Sequence, residues 1–231
     1  MSRLGQLPEQ GNVRLARVGG KARTVALLLA GGVVLVVAAR FWLHDAFPYL
    51  ADYTEASYRR YWPQRYGLIP HIVGGSLALF VGPIQLWLGA SRRARRLHRW
   101  LGYVYMTGVG LGAGGGFYLS FHTRPDFGVS LFVLGVVWCI TIAMAFMAIK
   151  SKRIDAHREW MIRSYIVTFA FVLYRFLVKL PVLAPLGGGL VPTALWASWV
   201  VPMMVYEVAS SWSRARPVKR TAAASVATES V

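Results

Sequence analysis

Two histidines open long apolar runs in nearly the same local sequence, and they are the residues of this chain best suited to chemistry. His98 begins the string His-Arg-Trp and His157 begins the string His-Arg-Glu-Trp, each after a cluster of basic residues. Imidazoles on neighbouring transmembrane helices are a common way to hold a haem or a metal ion inside a bilayer. The same placement also suits a histidine that only borders a membrane, so the surrounding elements must decide between the two interpretations.

The composition and its distribution predict an integral membrane protein. The chain has 231 residues, of which 56% are hydrophobic and 15% are charged, and its mean hydropathy is +0.46. A transmembrane helix needs about 20 mostly apolar residues. Six runs of this kind occur, at 25–43, 68–90, 98–121, 127–149, 160–180 and 190–212. Because they lack the short alternating pattern of membrane β-strands, we predict a single all-α domain of six transmembrane helices.

The positive charges are expected on one side of this bundle. The net charge of +17 would by itself suit a nucleic acid partner. However, the basic residues cluster before span one, between spans two and three, between spans four and five, and after span six. The positive-inside rule makes that common side cytoplasmic. We therefore predict a multi-pass protein of a bacterial inner membrane, with the lipid bilayer and not nucleic acid as its partner. Residues 1–23 and 213–231 are predicted cytoplasmic tails.

Helical periodicity, about 100° per residue, places small and polar residues of three spans on single faces. These faces are His71, Gly74, Gly75, Ala78, Gly82 and Gln85 in span two; His98, Gly102, Tyr105, Gly112 and Gly116 in span three; and His157, Ser164, Thr168 and Arg175 in span five. Polar residues in a membrane span face the protein interior. We expect these faces to line the bundle interior, with the glycines favouring helix packing over ligand clearance.

Depth in the membrane sorts the candidate histidines. His98 and His157 open spans that start on the cytoplasmic side, so they are expected at similar depth, where they could bind opposite sides of one haem. His71 opens a span that starts outside and is expected near the outer border. His122 is its weaker partner there, because it falls in the loop after span three.

Two arginines inside span five need partners. Arg163 lies near the cytoplasmic end at the depth of Glu207 in span six, which predicts a structural ion pair. Arg163 is also one of the cations that could meet a haem propionate. Arg175 lies near the outer end, where it would reach the outer surface, pair with Asp126, or meet a ligand beside His71.

Several chemical patterns are missing or fail in context. Cys139 is the only cysteine, which excludes a disulfide within one chain and haem attachment through Cys-x-x-Cys-His. The glycine-rich stretch 110–115 fits a dinucleotide fingerprint only as a bare pattern, since it lies inside a membrane span with no preceding strand. Few carboxylates occur within the spans, which disfavours a proton-coupled transporter.

Four local motifs resemble a bacterial family of predicted multi-pass membrane proteins that is catalogued only as a domain of unknown function. The motifs are His-Ile-Val-Gly-Gly-Ser at 71–76, Gly-Pro-Ile-Gln at 82–85, Leu-His-Arg-Trp-Leu-Gly-Tyr at 97–103 and His-Arg-Glu-Trp-Met-Ile-Arg-Ser-Tyr at 157–165. The resemblance covers about residues 66–180. It implies a membrane protein and brings no established activity.

The layout of the histidines is similar to that of the ascorbate-linked transmembrane b-type cytochromes. Those are six-helix proteins with two haems, whose histidine ligands lie early in spans two, three, four and five. His71, His98 and His157 match three of these positions, whereas the position early in span four has no clear match. The resemblance therefore implies a cytoplasmic-side haem more strongly than an outer one.

The leading hypothesis is a b-type cytochrome-like electron carrier that binds haem b through His98 and His157. Its partners would be an electron donor and acceptor, or a quinone, and it could form a homo-oligomer. The alternative is a cofactor-free protein, either a small-solute transporter or a structural subunit of a membrane complex. The same histidines would also suit a quinol or metal site.

Overall fold

The described part of the chain is helical throughout. The computed structural model describes residues 29, 31–51, 59, 61–91 and 94–215, which form helices and turns without a β-strand. The all-α prediction is therefore confirmed for these residues. The predicted tails lie outside the described residues, except that residues 213–215 continue the last helix.

The helices follow the predicted spans but differ from them at their ends. In chain order they are α1 (31–41), α2 (Arg65–Ser91), α3 (Arg95–Ser120), α4 (Pro125–Lys150), α5 (Ile154–Thr168), α6 (Ala170–Leu177) and α7 (Leu190–Ala215). Shorter turns are π-helical at Trp42–Ala46, α-helical at Pro48–Ala51, and 3-10 helical at Trp62–Gln64 and Pro181–Gly189. The helices therefore extend past several of the predicted apolar runs into the polar border.

The predicted span at 160–180 corresponds to one helical segment, Ile154–Leu177, which is interrupted at Phe169 between α5 and α6. Thr168 donates its hydroxyl to the carbonyl of Ser164 at 2.9 Å, one turn back along the helix. Such back-bonding competes with the helical ladder and bends helices. Helix α5 ends at Thr168, and α6 begins two residues later at Ala170.

Within the described residues, three helical segments are long and apolar enough to cross a membrane. They are Trp62–Ser91, Pro125–Lys150 and Ile154–Leu177. Large apolar side chains also point outward from the helices, among them Val36, Trp87, Val129, Met147 and Val208. An apolar exterior on a helical bundle is typical of a protein surrounded by lipid. These features support the predicted membrane location.

Glycines bring α2 and α3 into backbone contact. A Cβ added at Gly74 would collide with the backbone of α3 at Gly112, and one at Gly108 would lie 2.9 Å from the carbonyl oxygen of Gly74. A Cβ at Gly75, which lines the cavity described below, would meet nothing within 4 Å. The predicted packing role of these small residues is therefore confirmed for the seam between α2 and α3.

The two ends of the bundle differ in structure: one holds a pair of histidines and the other holds a cavity. Helices α3 and α5 begin at one end, where Arg214 near the end of α7 donates to Glu159 of α5 at 3.1 Å. We call this the histidine-pair end, because His98 and His157 lie there. At the opposite end α2 begins and α3 finishes, and we call it the cavity end, because a cavity there is lined by His71.

Candidate functional site

The structure brings His98 and His157 together. Their ring centroids are 6.5 Å apart and their planes are perpendicular, at 90°. A metal–nitrogen bond is about 2.0–2.1 Å long, so two imidazoles on one ion have centroids about 6 Å apart. The separation of the two imidazole rings is therefore close to that of two ligands on one ion.

The two imidazoles differ in how their nitrogens are satisfied. Nδ1 of His157 donates to the carbonyl oxygen of Ala145 in α4 at 2.9 Å, which leaves Nε2 available. This is the hydrogen bond that commonly orients a metal-bound histidine. Nδ1 of His98 is buried and has no hydrogen-bond partner in the described part of the chain. A buried polar atom without a partner is unfavourable, so His98 is a position that a bound group would stabilise.

Helix α2 contacts both the backbone and the ring of His98. Gln85, only 2% exposed, donates Nε2 to the backbone carbonyl oxygen of His98 at 2.7 Å. A Cβ added at Gly89 would lie 3.4 Å from Cε1 of His98, so the glycine places the α2 backbone directly beside the imidazole edge. The position of His98 is thus fixed through its backbone, while its ring nitrogen stays without a partner.

The histidine pair supplies two protein ligands, which is the number that a haem with two histidine ligands would take. Among the described residues, no group of three or more His, Cys, Asp or Glu side chains could hold a metal ion. A bare ion in a structural site takes about four protein ligands. A haem brings its own ring nitrogens and takes one or two axial ligands from the protein. His98 and His157 match that smaller requirement.

The predicted ion pair between Arg163 and Glu207 is confirmed. Nε and Nη2 of Arg163 donate to the two carboxylate oxygens of Glu207 at 2.6 and 3.1 Å, and the guanidinium lies 4.8 Å from the ring centroid of Trp160. This bidentate pair joins α5 to α7. It occupies the guanidinium of Arg163, whereas the side chains of Arg99 and Arg158 are exposed near the histidines.

Polar residues from three helices meet in the middle of the bundle. The hydroxyl of Tyr105 lies 2.9 Å from Ser164 Oγ and 2.9 Å from Thr168 Oγ1. Nε1 of Trp138 in α4 donates to the same Thr168 oxygen at 2.9 Å. Tyr105 is completely buried. The prediction that the polar faces of spans three and five line the bundle interior is therefore confirmed at these residues.

A cavity of about 290 Å³ lies at the cavity end, with His71 in its wall. Nδ1 of His71 donates to the carbonyl oxygen of Gly112 at 2.7 Å. The edge of the ring packs against Phe171, with centroids 5.4 Å apart. Trp138 and Thr168 also line this cavity, so the hydrogen-bonded group in the middle of the bundle forms part of its wall.

Arg175 shares this cavity with His71 and forms no ion pair with any described carboxylate. The alternative in which it pairs with Asp126 is not observed, because Asp126 pairs with Arg124 at 2.7 Å. His122 lies on the cavity wall but is exposed, and its Nδ1 donates to the carbonyl oxygen of Tyr118 at 2.7 Å. The predicted residues His71, His122 and Arg175 therefore all line one cavity.

Gln64 and Trp138 are polar residues of the cavity wall that the sequence did not mark as site residues. Oε1 of Gln64 is buried and has no hydrogen-bond partner in the described residues. Gln64 belongs to a short 3-10 turn before α2, and no pattern in the sequence marks it. Trp138 could have been found, because a tryptophan within an otherwise uncharged span usually needs a partner for its N–H.

Comparison with known proteins identifies a family. A family model described as a predicted membrane protein, DUF2306, matches residues 68–209. Because this match covers more than half of the 231-residue chain, the chain belongs to that family. No curated protein matches the chain. No solved structure matches it either, so the similarity in layout to the b-type cytochromes stays a prediction.

Proposed function

We propose that this family member is a six-span protein of a bacterial inner membrane with both termini in the cytoplasm. Helices α3 and α7 have 26 residues each. At a rise of 1.5 Å per residue, such a helix is about 39 Å long, which exceeds the hydrocarbon thickness of about 30 Å. Together with the three most apolar segments, they provide five of the six spans, and the apolar run at 25–43, of which α1 is a described part, provides the other.

The charge distribution supports the orientation. Exposed basic side chains at the histidine-pair end are Arg95, Arg96, Arg99, Lys150, Lys152, Arg153, Arg158 and Arg214. They come from the links between α2 and α3 and between α4 and α5, and from the end of α7. Cytoplasmic loops carry an excess of lysine and arginine, so the histidine-pair end is the cytoplasmic end.

In this membrane the protein is a haem-binding electron carrier, with His98 and His157 as the axial ligands. The observation that carries this proposal is the perpendicular histidine pair with ring centroids 6.5 Å apart. Two further features support it. Nδ1 of His98 is buried without a partner, and the ring of His157 is oriented by the carbonyl of Ala145.

The residues around the pair have separate roles in this proposal. A haem with two imidazole ligands supplies one-electron redox chemistry. Ala145 holds the tautomer of His157 that presents Nε2, and Gln85 holds the backbone of His98. Arg99 and Arg158 are exposed cations that can form charge-assisted hydrogen bonds with propionates. Arg163 stabilises the position of α5 against α7 through Glu207.

A difference spectrum tests this proposal. The protein is produced in haem-supplemented cells, purified, and compared with the variants His98→Ala and His157→Ala. We expect a reduced-minus-oxidised b-type band in the unaltered protein and its loss in both variants. His44→Ala is the matched control, because His44 is exposed and distant in sequence from the pair, and this variant should keep the band.

Two results would contradict the proposal. A well-folded protein without any b-type band would favour the cofactor-free alternative, a small-solute transporter or a structural subunit. A band that survives both alanine substitutions would show that other residues hold the haem.

A further inference from the structure

The cavity around His71 has the size and the walls of a small-ligand site. Its volume of about 290 Å³ is just below the range of about 300–1,000 Å³ that is usual for such sites. Phe171 and Trp138 provide aromatic walls, and Leu79 and Val172 are among its apolar ones. The space therefore suits one substituted ring and not a large cofactor.

Two polar atoms of the cavity wall are hydrogen-bond acceptors without a donor. The carbonyl of Gly112 can only accept, so Nδ1 of His71 carries a hydrogen, and Nε2 of the neutral ring is then an acceptor. Oε1 of Gln64 is buried with no partner in the described residues. A buried acceptor is normally satisfied, so Oε1 of Gln64, with Nε2 of His71 as a second acceptor in the same wall, favours a ligand that brings hydroxyl donors.

Arg175 adds a cation to the same wall. Its guanidinium has no carboxylate partner in the described part of the chain, and it lies 5.9 Å from the ring centroid of Tyr174. Asp45, the carboxylate that also lines the cavity, is held by Lys179 at 2.9 Å. Among the described residues, no carboxylate therefore competes for Arg175. Its guanidinium suits a ligand hydroxyl oxygen whose own hydrogen is donated to another acceptor.

We propose that the cavity binds a membrane-soluble hydroquinone. The ring lies between Phe171 and Trp138, its hydroxyls donate to Nε2 of His71 and Oε1 of Gln64, and Arg175 donates to one of the hydroxyl oxygens. The oxidised quinone has carbonyl oxygens in place of the hydroxyls, so it cannot satisfy the two acceptors and binds more weakly.

This proposal stands on the cavity and does not depend on the haem. The ligand site and the histidine pair are at opposite ends of the bundle, and binding can be measured whether or not a b-type band is present. Absence of a b-type band would not affect the measured quinol binding. Absence of quinol binding would likewise not affect the b-type band.

Calorimetric titration of the purified full chain in lipid nanodiscs tests the site. The probes are a short-chain benzoquinol, kept reduced under anaerobic conditions, and its bis-methyl ether, which has the same ring but no hydroxyl hydrogens. Sites built to bind a hydroxyl strongly reject analogues that lack it. We expect the ether to bind at least about tenfold more weakly than the quinol.

Variants locate the binding. His71→Phe keeps an aromatic ring but removes the acceptor, and Gln64→Met keeps the side-chain length. Each should weaken quinol binding about tenfold, whereas His44→Phe, the same substitution outside the cavity, should leave it unchanged. Equal binding of quinol and ether to the unaltered protein would overturn the proposal, and this comparison needs no variant to fold. Unchanged quinol binding in a folded His71→Phe variant would also overturn the proposal. So would complete displacement of the quinol by a simple carboxylate amphiphile that has no ring.

Discussion

The two ends of the bundle each hold a partly enclosed histidine, and they differ in what that histidine faces. His98 faces a second imidazole across the bundle, with centroids 6.5 Å apart. His71 faces a cavity of about 290 Å³ with aromatic and apolar walls. Two fixed donors at one end suit an ion held between them, whereas one acceptor beside open space suits a diffusible molecule. A histidine at a membrane border therefore acquires its chemistry from its neighbours and not from its depth.

The seam between α2 and α3 is shared by both ends, so damage to it should have the largest effect. Gly74→Ala places a Cβ against the backbone of α3 at Gly112. Because backbone cannot move aside cheaply, we expect a loss of about 3 kcal/mol in the free energy of unfolding, measured by denaturant titration in mixed micelles. Haem and quinol binding should be lost together.

Gly75→Ala is the matched control for that substitution. A Cβ at Gly75 meets nothing within 4 Å, and alanine has the higher helix propensity. Stability should stay the same or rise slightly. Equal destabilisation by both substitutions would show that α2 and α3 do not pack as described.

The polar layer between the two ends should give the next largest effect. Tyr105→Phe removes the hydroxyl that lies between Ser164 and Thr168. Ser164 Oγ and Thr168 Oγ1 each lose a hydrogen-bond partner inside the bundle. We therefore expect a loss of about 1–3 kcal/mol in the free energy of unfolding. Tyr103→Phe, at an exposed position of the same helix, should change it by less than about 0.5 kcal/mol. Similar losses in both variants would contradict the described network.

The smallest effect should be local to the histidine-pair end. Glu207→Gln leaves the guanidinium of Arg163, whose side chain is 13% exposed, without its bidentate partner. Because Glu207 itself is 38% exposed, we expect a loss of only about 1–2 kcal/mol in the free energy of unfolding. Quinol binding at the other end should not change. Asp126→Asn breaks an exposed pair and should leave the free energy of unfolding almost unchanged, because water screens both charges.

Much of the fold was predictable because apolar run length and helical periodicity are strong signals. The runs located the long helices of the described residues, and the faces of spans three and five predicted that Tyr105 and Ser164 lie in the bundle interior, where they meet. The break between α5 and α6 was missed, since it follows neither proline nor glycine. It accompanies the hydrogen bond that the hydroxyl of Thr168 donates to the carbonyl oxygen of Ser164, and the sequence does not show which acceptor that hydroxyl takes.

The candidate site was only partly predictable, because some of its residues come together only when separate helices pack. Helix direction and depth were enough to pair His98 with His157, because both begin parallel helices at the same border. The cavity depends on residues that come from separate elements, such as Gln64 in a short turn and Trp138 inside α4. Their convergence follows from how the helices pack, which no local pattern encodes.

The number of haems per chain tests the difference between the two ends most directly. It can be measured by quantifying extracted haem against protein concentration in the purified, folded protein. We expect one haem per chain, lost in His157→Ala, because His98 and His157 are the only facing imidazoles among the described residues. No haem would contradict the role of the pair, and two haems per chain would contradict the assignment of the cavity end to a small ligand.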